Sequence, residues 1–594
     1  MQKKRINFKN KIYYLIIVIS VFMCGNIAVL YPGLYYDAVM PDYIAAIFSN
    51  PSEMNSAVGS FPSYLFYPKL GSLYHGTITA MVQTIVGVLL RTTNIVIYRN
   101  VNLLYLGIIF CIMYKIFYFL GIPKKIVLPI LMLGIFNAST IFVTRTQYYV
   151  MLPGVVFLFL SVLFLLYELY NVKCWKIFSS YNNSIIWCFF SGISLGMAFY
   201  CYFCYLFFLP AFLLSIYKDV KSVSKKILMW ILGFIGGSFF YFLGYFEAIV
   251  INIVPIKQIQ VILTIVFCIV FISFIFMAMK FILNEKRTCF NIKRALKIIT
   301  FIIFIVVVLG IVLIILKRDI ILEKFSSFSA LNLSGEKVAL WERAQLFVRY
   351  FCYCTTMNFP CYAMFQEQII LCPNLYIILF GCSLIFILIY QDKLKENSLV
   401  KWCVWAIVSF FICSFGLISR MQSQHFVAFY FIFYIVFIIV TNELFNMKHV
   451  RGALKVIWGI CIIINICNVY NVATELERTR GKGSYTDGVN QEAKLALEEF
   501  ENGMKDVYVS LDWGFKAGFI YLTNDKILCY ESIYDDDNIS NWDINDFLEN
   551  GYRVILVSSE YGKVLENESY FKVEGEKRIY YDESTPRWYL SVVD

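Results

Sequence analysis

The sequence predicts an all-α polytopic membrane protein of about thirteen transmembrane helices, with a small C-terminal α/β domain on the extracytoplasmic side. Three observations lead there. The 594 residues are 60% hydrophobic and 15% charged, with a mean hydropathy of +0.69, far more apolar than soluble domains. Long apolar windows alternate with short basic breaks. Charge also divides along the chain: 25 acidic and 13 basic residues follow position 472, leaving that segment near −12 and the rest near +23. Basic residues in short connections are what cytoplasmic loops require, so no nucleic-acid partner is expected.

The first span, 12–30, follows Lys3, Lys4, Arg5, Lys9 and Lys11. That bias keeps the N-terminus in the cytoplasm. The run is too long for a signal peptide and has no small-residue cleavage site. A first outer loop, about 32–98, then contains Tyr31-Pro-Gly-Leu-Tyr-Tyr-Asp37 and an amphipathic stretch, 64–90, placed at the membrane interface. Spans are expected at about 100–120, 126–143 and 148–170, the second of them beginning after the cytoplasmic Lys124-Lys125. Residues 184–217 lie between two basic segments, Lys173 to Lys176 and Lys218 to Lys226, and must therefore form a hairpin. Further spans fall at about 227–252, 259–283, 298–316, 373–390, 400–419, 426–445 and 454–471, with a second outer loop at about 317–372.

Residues 1–473 thus form the membrane domain and 474–594 a soluble one. In the latter, 506–512 and 552–558 read as buried strands, and 492–500 and 544–549 as helices. That domain is expected to serve as a structural or docking cap. No GxGxxG, Walker A or HExxH motif occurs in the chain. The eighteen cysteines lie mainly in apolar runs, and Cys201-Tyr-Phe-Cys204 is expected to be a pair of buried structural thiols.

The unusual polar residues gather on the expected outer face. Asp37 and Asp42 lie in the first outer loop, where a carboxylate can be desolvated without entering lipid. Lys69, Arg91, Arg145, Arg343, Arg349 and Arg420 run against the inside bias of basic residues, and such cations suit an anionic phosphate at the membrane surface. His75 and His425 fall on the same face and suit hydrogen bonding to a phosphate or sugar. Two histidines without ligand spacing are weak support for a paired Asp/His metal site, so no cofactor is expected and a divalent metal stays an open alternative.

Pro32-Gly-Leu-Tyr-Tyr-Asp37 after the first span resembles the GT-C superfamily of membrane glycosyltransferases. The likeness is to the bacterial branch related to protein O-mannosyltransferases and the lipid A aminoarabinose transferase, the dolichyl-phosphate-mannose-protein mannosyltransferase-like group. Tyr67-Pro-Lys-Leu-Gly-Ser-Leu, Arg99 and the segment from Asn137 to Arg145-Thr-Gln also resemble it. So do the small-residue runs Ser191-Gly-Ile-Ser-Leu-Gly and Gly233-Phe-Ile-Gly-Gly. Ala38 stands where the branch usually has Glu, and Gln147 where it often has an acid. The resemblance implies transfer of a sugar from a polyprenyl-phosphate carrier to a glycan, lipid or protein acceptor, with Asp37 as general base. Lys69, Arg145 and Arg420 would hold the departing phosphate, His425 would donate to it, and Asp42 and His75 would complete the binding site. Two other readings remain: a transporter or flippase of lipid-linked glycans, and a non-catalytic protein that binds lipid-linked sugar.

Overall fold

The structure is a computed structural model. It describes residues 11–31, 33–34, 70–72, 75–76, 78, 82, 85–86, 89–92, 94–144, 151–170, 172, 183–216, 223–253, 256–284, 289–290, 339–356, 383, 397–415, 421, 423–481, 487–511, 515–524, 526–531, 544–558, 577–582 and 585–593. Asp37, Asp42, Lys69, Arg145 and Arg420 lie outside the described residues, as do the expected span at 298–316 and most of that at 373–390.

Helix α1 (Lys11–Gly25) stops short of the expected 12–30 span. Asn26 turns its amide back onto the Phe22 carbonyl at 2.9 Å, and Ala28 takes a left-handed φ of 49°. Strands β1 (Leu70–Ser72) and β2 (His75–Gly76) then form an antiparallel hairpin within the stretch read as amphipathic. Helix α2 (Ile95–Phe119) begins where Asn94 accepts from the Val96 amide at 2.8 Å, a side-chain cap of an orphan helix donor.

The single span expected at 126–143 is two helices, α3 (Lys124–Ile135) and α4 (Ala138–Thr144). Pro129 weakens the ladder of α3, and Asn137 starts α4 by accepting from the Thr140 amide at 3.0 Å. Next come α5 (Leu152–Leu169) and α6 (Asn183–Cys201), an extended Tyr202, a 3-10 turn (Phe203–Phe208) and α7 (Leu209–Ile216). Strand β3 (Val223–Ser224) leads into α8 (Lys225–Gly237), α9 (Phe239–Ile253) and α10 (Lys257–Asn284), after which β4 (Cys289–Phe290) pairs with β3. The expected 227–252 span is therefore also interrupted, at Ser238, whose hydroxyl bonds the Phe234 carbonyl at 2.8 Å. Helices α11 (Leu340–Thr356) and α12 (Ser398–Ser414), a 3-10 turn (Ser423–Phe426), α13 (Val427–Asn446) and α14 (Lys448–Thr479) complete the helical part.

Among the described residues five helices are long and apolar enough to cross a membrane: α2, α5, α10, α13 and α14. Helix α10 makes the solvent plain. Beyond the face that packs on α8 and α9, its apolar side chains point outward along its length, with Ile269 60%, Phe276 65% and Met277 65% exposed. A continuous surface of that kind is stable only against lipid. The chain is a multi-pass membrane protein.

Small residues set the tightest helix contact. A Cβ on Gly192 would lie 2.0 Å from the Trp230 carbonyl oxygen, and one on Gly196 2.3 Å from that of Phe234. Reciprocally, Gly233 and Gly237 meet the carbonyls of Phe189 and Ile193 at 2.2 and 2.1 Å. Partner numbers rise together, so α6 and α8 run parallel, and the chain must return between them through α7. The hairpin expected at 184–217 thus forms. Backbone approach of this kind stands in for the hydrophobic effect that lipid cannot supply between helices. Ser191 adds polar glue, exchanging hydrogen bonds with Ser161 of α5 and accepting from the Trp230 indole at 3.1 Å. Cys201 and Cys204 are buried free thiols.

The C-terminal region holds α15 (Gly488–Glu501), β5 (Asp506–Ser510), α16 (Lys516–Thr523), β6 (Leu528–Glu531), α17 (Ile544–Glu549), β7 (Arg553–Ser558), β8 (Lys577–Asp582) and β9 (Thr585–Val593). The sheet order is β6-β5-β7-β9-β8, parallel across β6, β5 and β7 and antiparallel beyond. Residues of β5 are buried on both faces. Val507 and Val509 pack toward Phe547 of α17, and Tyr508 toward α15 and α16, the burial that gives a parallel strand its continuous apolar run. Arg553 holds Asp506 across the strands at 2.8 Å and Glu499 at 3.1 Å. Burial pushes the Asp506 carboxyl up against the pull of Arg553, while that hydrogen-bonded carboxylate holds the guanidinium charge more firmly.

Gly192→Ile should push α6 from α8 and destabilise the protein by about 3 kcal/mol, because backbone cannot yield as a side chain does. Thermal unfolding in detergent should show this loss but none for Gly459→Ala, where a Cβ meets nothing within 4 Å.

Candidate functional site

The two ends of the helical bundle differ in chemistry. At the N-terminal end, Lys124 bonds the Tyr13 hydroxyl at 2.5 Å, Lys125 lies 5.0 Å over the Phe445 ring, and Arg451 caps the Phe445 carbonyl at 3.1 Å. The far end receives the end of α1, the start of α2, the turn after α6, the start of α13 and the C-terminal sheet unit. Of the nominated residues the structure describes His75 and His425, both at this end.

The segment leading to Asp37 is held there by a buried arginine. Arg99, in the first turns of α2, donates through Nη1 to the Val29 carbonyl at 2.5 Å and through Nη2 to the Gly33 carbonyl at 3.3 Å. Asn26 and Asn100 exchange amide hydrogen bonds of 2.8 and 3.0 Å beside it. A guanidinium taken out of water needs such acceptors, and here they are the backbone of the outgoing chain. Leu34 then inserts into a core shared with Ile95 and Tyr98 of α2 and with Val489, Phe515 and Phe519 of the C-terminal unit. Its amide donates to Asn490 Oδ1 at 3.3 Å, and the Tyr98 and Tyr521 rings meet edge-on at 5.7 Å. The stem of the Asp37 loop is therefore bound on one side to α2 and on the other to α15 and α16. Within that unit Tyr508 donates to Glu492 at 2.7 Å, and burial beside that carboxylate pushes the phenol well above its ordinary range, so it stays a donor.

The second cluster surrounds His425. The imidazole is 8% exposed and shares a 2.9 Å hydrogen bond with the Tyr202 hydroxyl through Nε2. Phe203 flanks the ring at 6.4 Å. The β1–β2 hairpin reaches the same place, since a Cβ on Gly76 would lie 2.6 Å from the Tyr200 carbonyl oxygen. His75 precedes that glycine, so the hairpin brings both nominated histidines to the end of α6. Arg343, one of the unexpected outer cations, donates to the Phe415 carbonyl at 3.5 Å and so caps the end of α12, where positive charge suits the helix dipole.

Among the described residues no three His, Cys, Asp or Glu side chains gather as a metal-ligand set. Tyr202 and Asn490 carried no sequence signal. Arg99 did carry one, its match to the family pattern at the opening of the second span, and its role as a backbone clamp appears only in the fold.

No family model matches the chain, and no curated protein matches it. Among solved structures it is similar to the oligosaccharyltransferase of Archaeoglobus fulgidus in complex with zinc and sulfate, at a TM-score of 0.47 and 11% identity, over 96% of this chain and 72% of that one. A superposition that loose supports no statement about activity.

Replacing Arg99 with Leu leaves a buried and a half-buried carbonyl without their donor, at a cost of about 2 kcal/mol. Hydrogen–deuterium exchange should accelerate in residues 29–34 of the Arg99→Leu variant while the amides of β5 and β7 keep their protection.

Proposed function

We propose that this protein is an integral-membrane glycosyltransferase of the GT-C type. It transfers a sugar from a polyprenyl-phosphate-linked donor to an acceptor at the far, extracytoplasmic end of the bundle. The observation that carries the reading is the fixed stem of the Asp37 loop: Gly33 and Leu34 are tied to Arg99 and Asn490, three residues before the carboxylate. A base is useful when its approach is set by rigid supports, and a weakly nucleophilic hydroxyl needs a carboxylate to take its proton. His425, oriented by Tyr202, supplies a polar group at the same end for the leaving phosphate. Lys69, Arg145 and Arg420 are proposed to neutralise that phosphate, with Asp42 and His75 completing the substrate-binding set. Positive charge at the other end of the bundle supports a cytoplasmic N-terminus.

One observation favours the transporter reading instead. Membrane helices broken within the bilayer are common where transporters bind substrate, and α3 and α4 are broken at Asn137. Reconstitution separates the two. Purified protein with a polyprenyl-linked sugar and an acceptor should release polyprenyl phosphate and form glycosylated product. Asp37→Asn should lower that rate at least 100-fold, within the range general-base catalysis supplies, with unchanged expression and melting temperature. Full activity in Asp37→Asn removes the base assignment, and carrier translocation without product selects the transporter.

A further inference from the structure

A groove of about 270 Å³ opens on the side of the bundle between α1, α2 and α5, lined by Tyr14, Val18, Leu104, Ile108, Lys115 and Leu163 among others. It lies at the N-terminal end, away from the proposed transfer site. Leu104 and Ile108 are exposed along it, so its open side faces lipid. From Leu104 to Lys115 the groove follows α2 for about 16 Å at 1.5 Å per residue. That is about half of a hydrocarbon core roughly 30 Å thick, the depth of one leaflet.

The charged end of the groove lies at headgroup level. Tyr13 and Tyr14 pack on Tyr114, and Phe119 packs edge-on to Tyr167 and Tyr170, an aromatic belt of the kind that marks a membrane interface. The Lys115 ammonium lies 5.9 Å from the centroid of Tyr118, whose ring stacks on Tyr114, and none of the ion pairs among the described residues involves it. An ammonium at the mouth of an apolar trough, one leaflet long, asks for an anion that carries its own hydrocarbon.

We propose that this groove binds an acyl chain of an anionic glycerophospholipid from the leaflet on the N-terminal side, with the lipid phosphate on the Lys115 ammonium. A zwitterionic lipid fills the trough equally well but brings its own cation, so selectivity rests on net charge. The site stands independently of sugar transfer.

The test uses the full-length protein in detergent, with native mass spectrometry of bound lipid and melting temperature as readouts. Phosphatidylglycerol should be retained several-fold more than phosphatidylcholine and should raise the melting temperature, while inorganic phosphate should not. Lys115→Gln should equalise retention of the two lipids, and Lys115→Arg should restore the preference. Ile108→Trp, which fills the trough and keeps the charge, should lower retention of both lipids. Equal retention by the wild type, an undiminished preference in Lys115→Gln, or a shift with phosphate alone overturns the proposal. Should Lys115→Gln fail to fold, Ile108→Trp decides: unchanged phosphatidylglycerol retention there also overturns it.

Discussion

Hydrocarbon offers no water to a carbonyl released from its helix, so each such group must find a donor within the protein. Much of the side-chain polarity inside this bundle answers that demand. Arg99 serves the carbonyls of Val29 and Gly33 beyond α1. At the break between α3 and α4, Asn465 of α14 donates to Leu133 at 2.8 Å, and Tyr430 of α13 donates to Gly134 at 3.3 Å. Trp187 takes the Val172 carbonyl after α5 at 2.7 Å, and Arg451 takes that of Phe445 in the last turn of α13 at 3.1 Å. The donors come from different helices, so closing each helix end also fixes which helices are neighbours. Capping and packing are one constraint here.

The same device explains why the C-terminal unit belongs to the far end of the bundle. Arg99 shapes the chain after α1 so that Leu34, only 2% exposed, reaches the core that α15 and α16 share with the start of α2. Gly518 permits this approach, since a Cβ there would lie 3.0 Å from the Leu34 carbonyl oxygen. The stem of the first loop is therefore in direct contact with α15 and α16, through Leu34, Asn490 and Gly518. In the proposed reaction, that linkage lets an acceptor held by the C-terminal unit and a base carried by the loop share one frame.

Hydropathy and charge made the membrane class, the positions of several apolar helices, the return of the chain within 184–217 and two strands of the terminal sheet legible. These features follow from local periodicity and from the sidedness of lysine and arginine. The interruptions at Asn137 and Ser238 were not legible, because an apolar window reads the same whether its helix is continuous or broken. Strands β6, β8 and β9 escaped for a related reason: their pairing is decided by distant partners, such as Val554 opposite Val593. At the site, the nomination of His425 needed only its place at a helix entrance, whereas its partner Tyr202 lies 223 residues earlier in sequence. The α6–α8 seam was half visible. Its glycines stood out as small-residue motifs, but only the fold shows that they face one another.

The break at Asn137 bears on which function the bundle serves. A transporter that uses a broken helix leaves its freed backbone groups to coordinate cargo. Here those groups already have protein partners. Leu133 and Gly134 carbonyls accept from Asn465 and Tyr430, and Tyr430 also meets Thr140 and lies 3.2 Å from the Tyr434 hydroxyl. All of these side chains are buried. Cargo at this depth would have to displace several hydrogen bonds made in an environment without water, where each lost bond goes unreplaced. The far end carries no comparable cost, because the helices stop and the loops begin there. The break is thus closed by side chains of α13 and α14 rather than left open to a solute, which weighs against the transporter reading and for the proposed one.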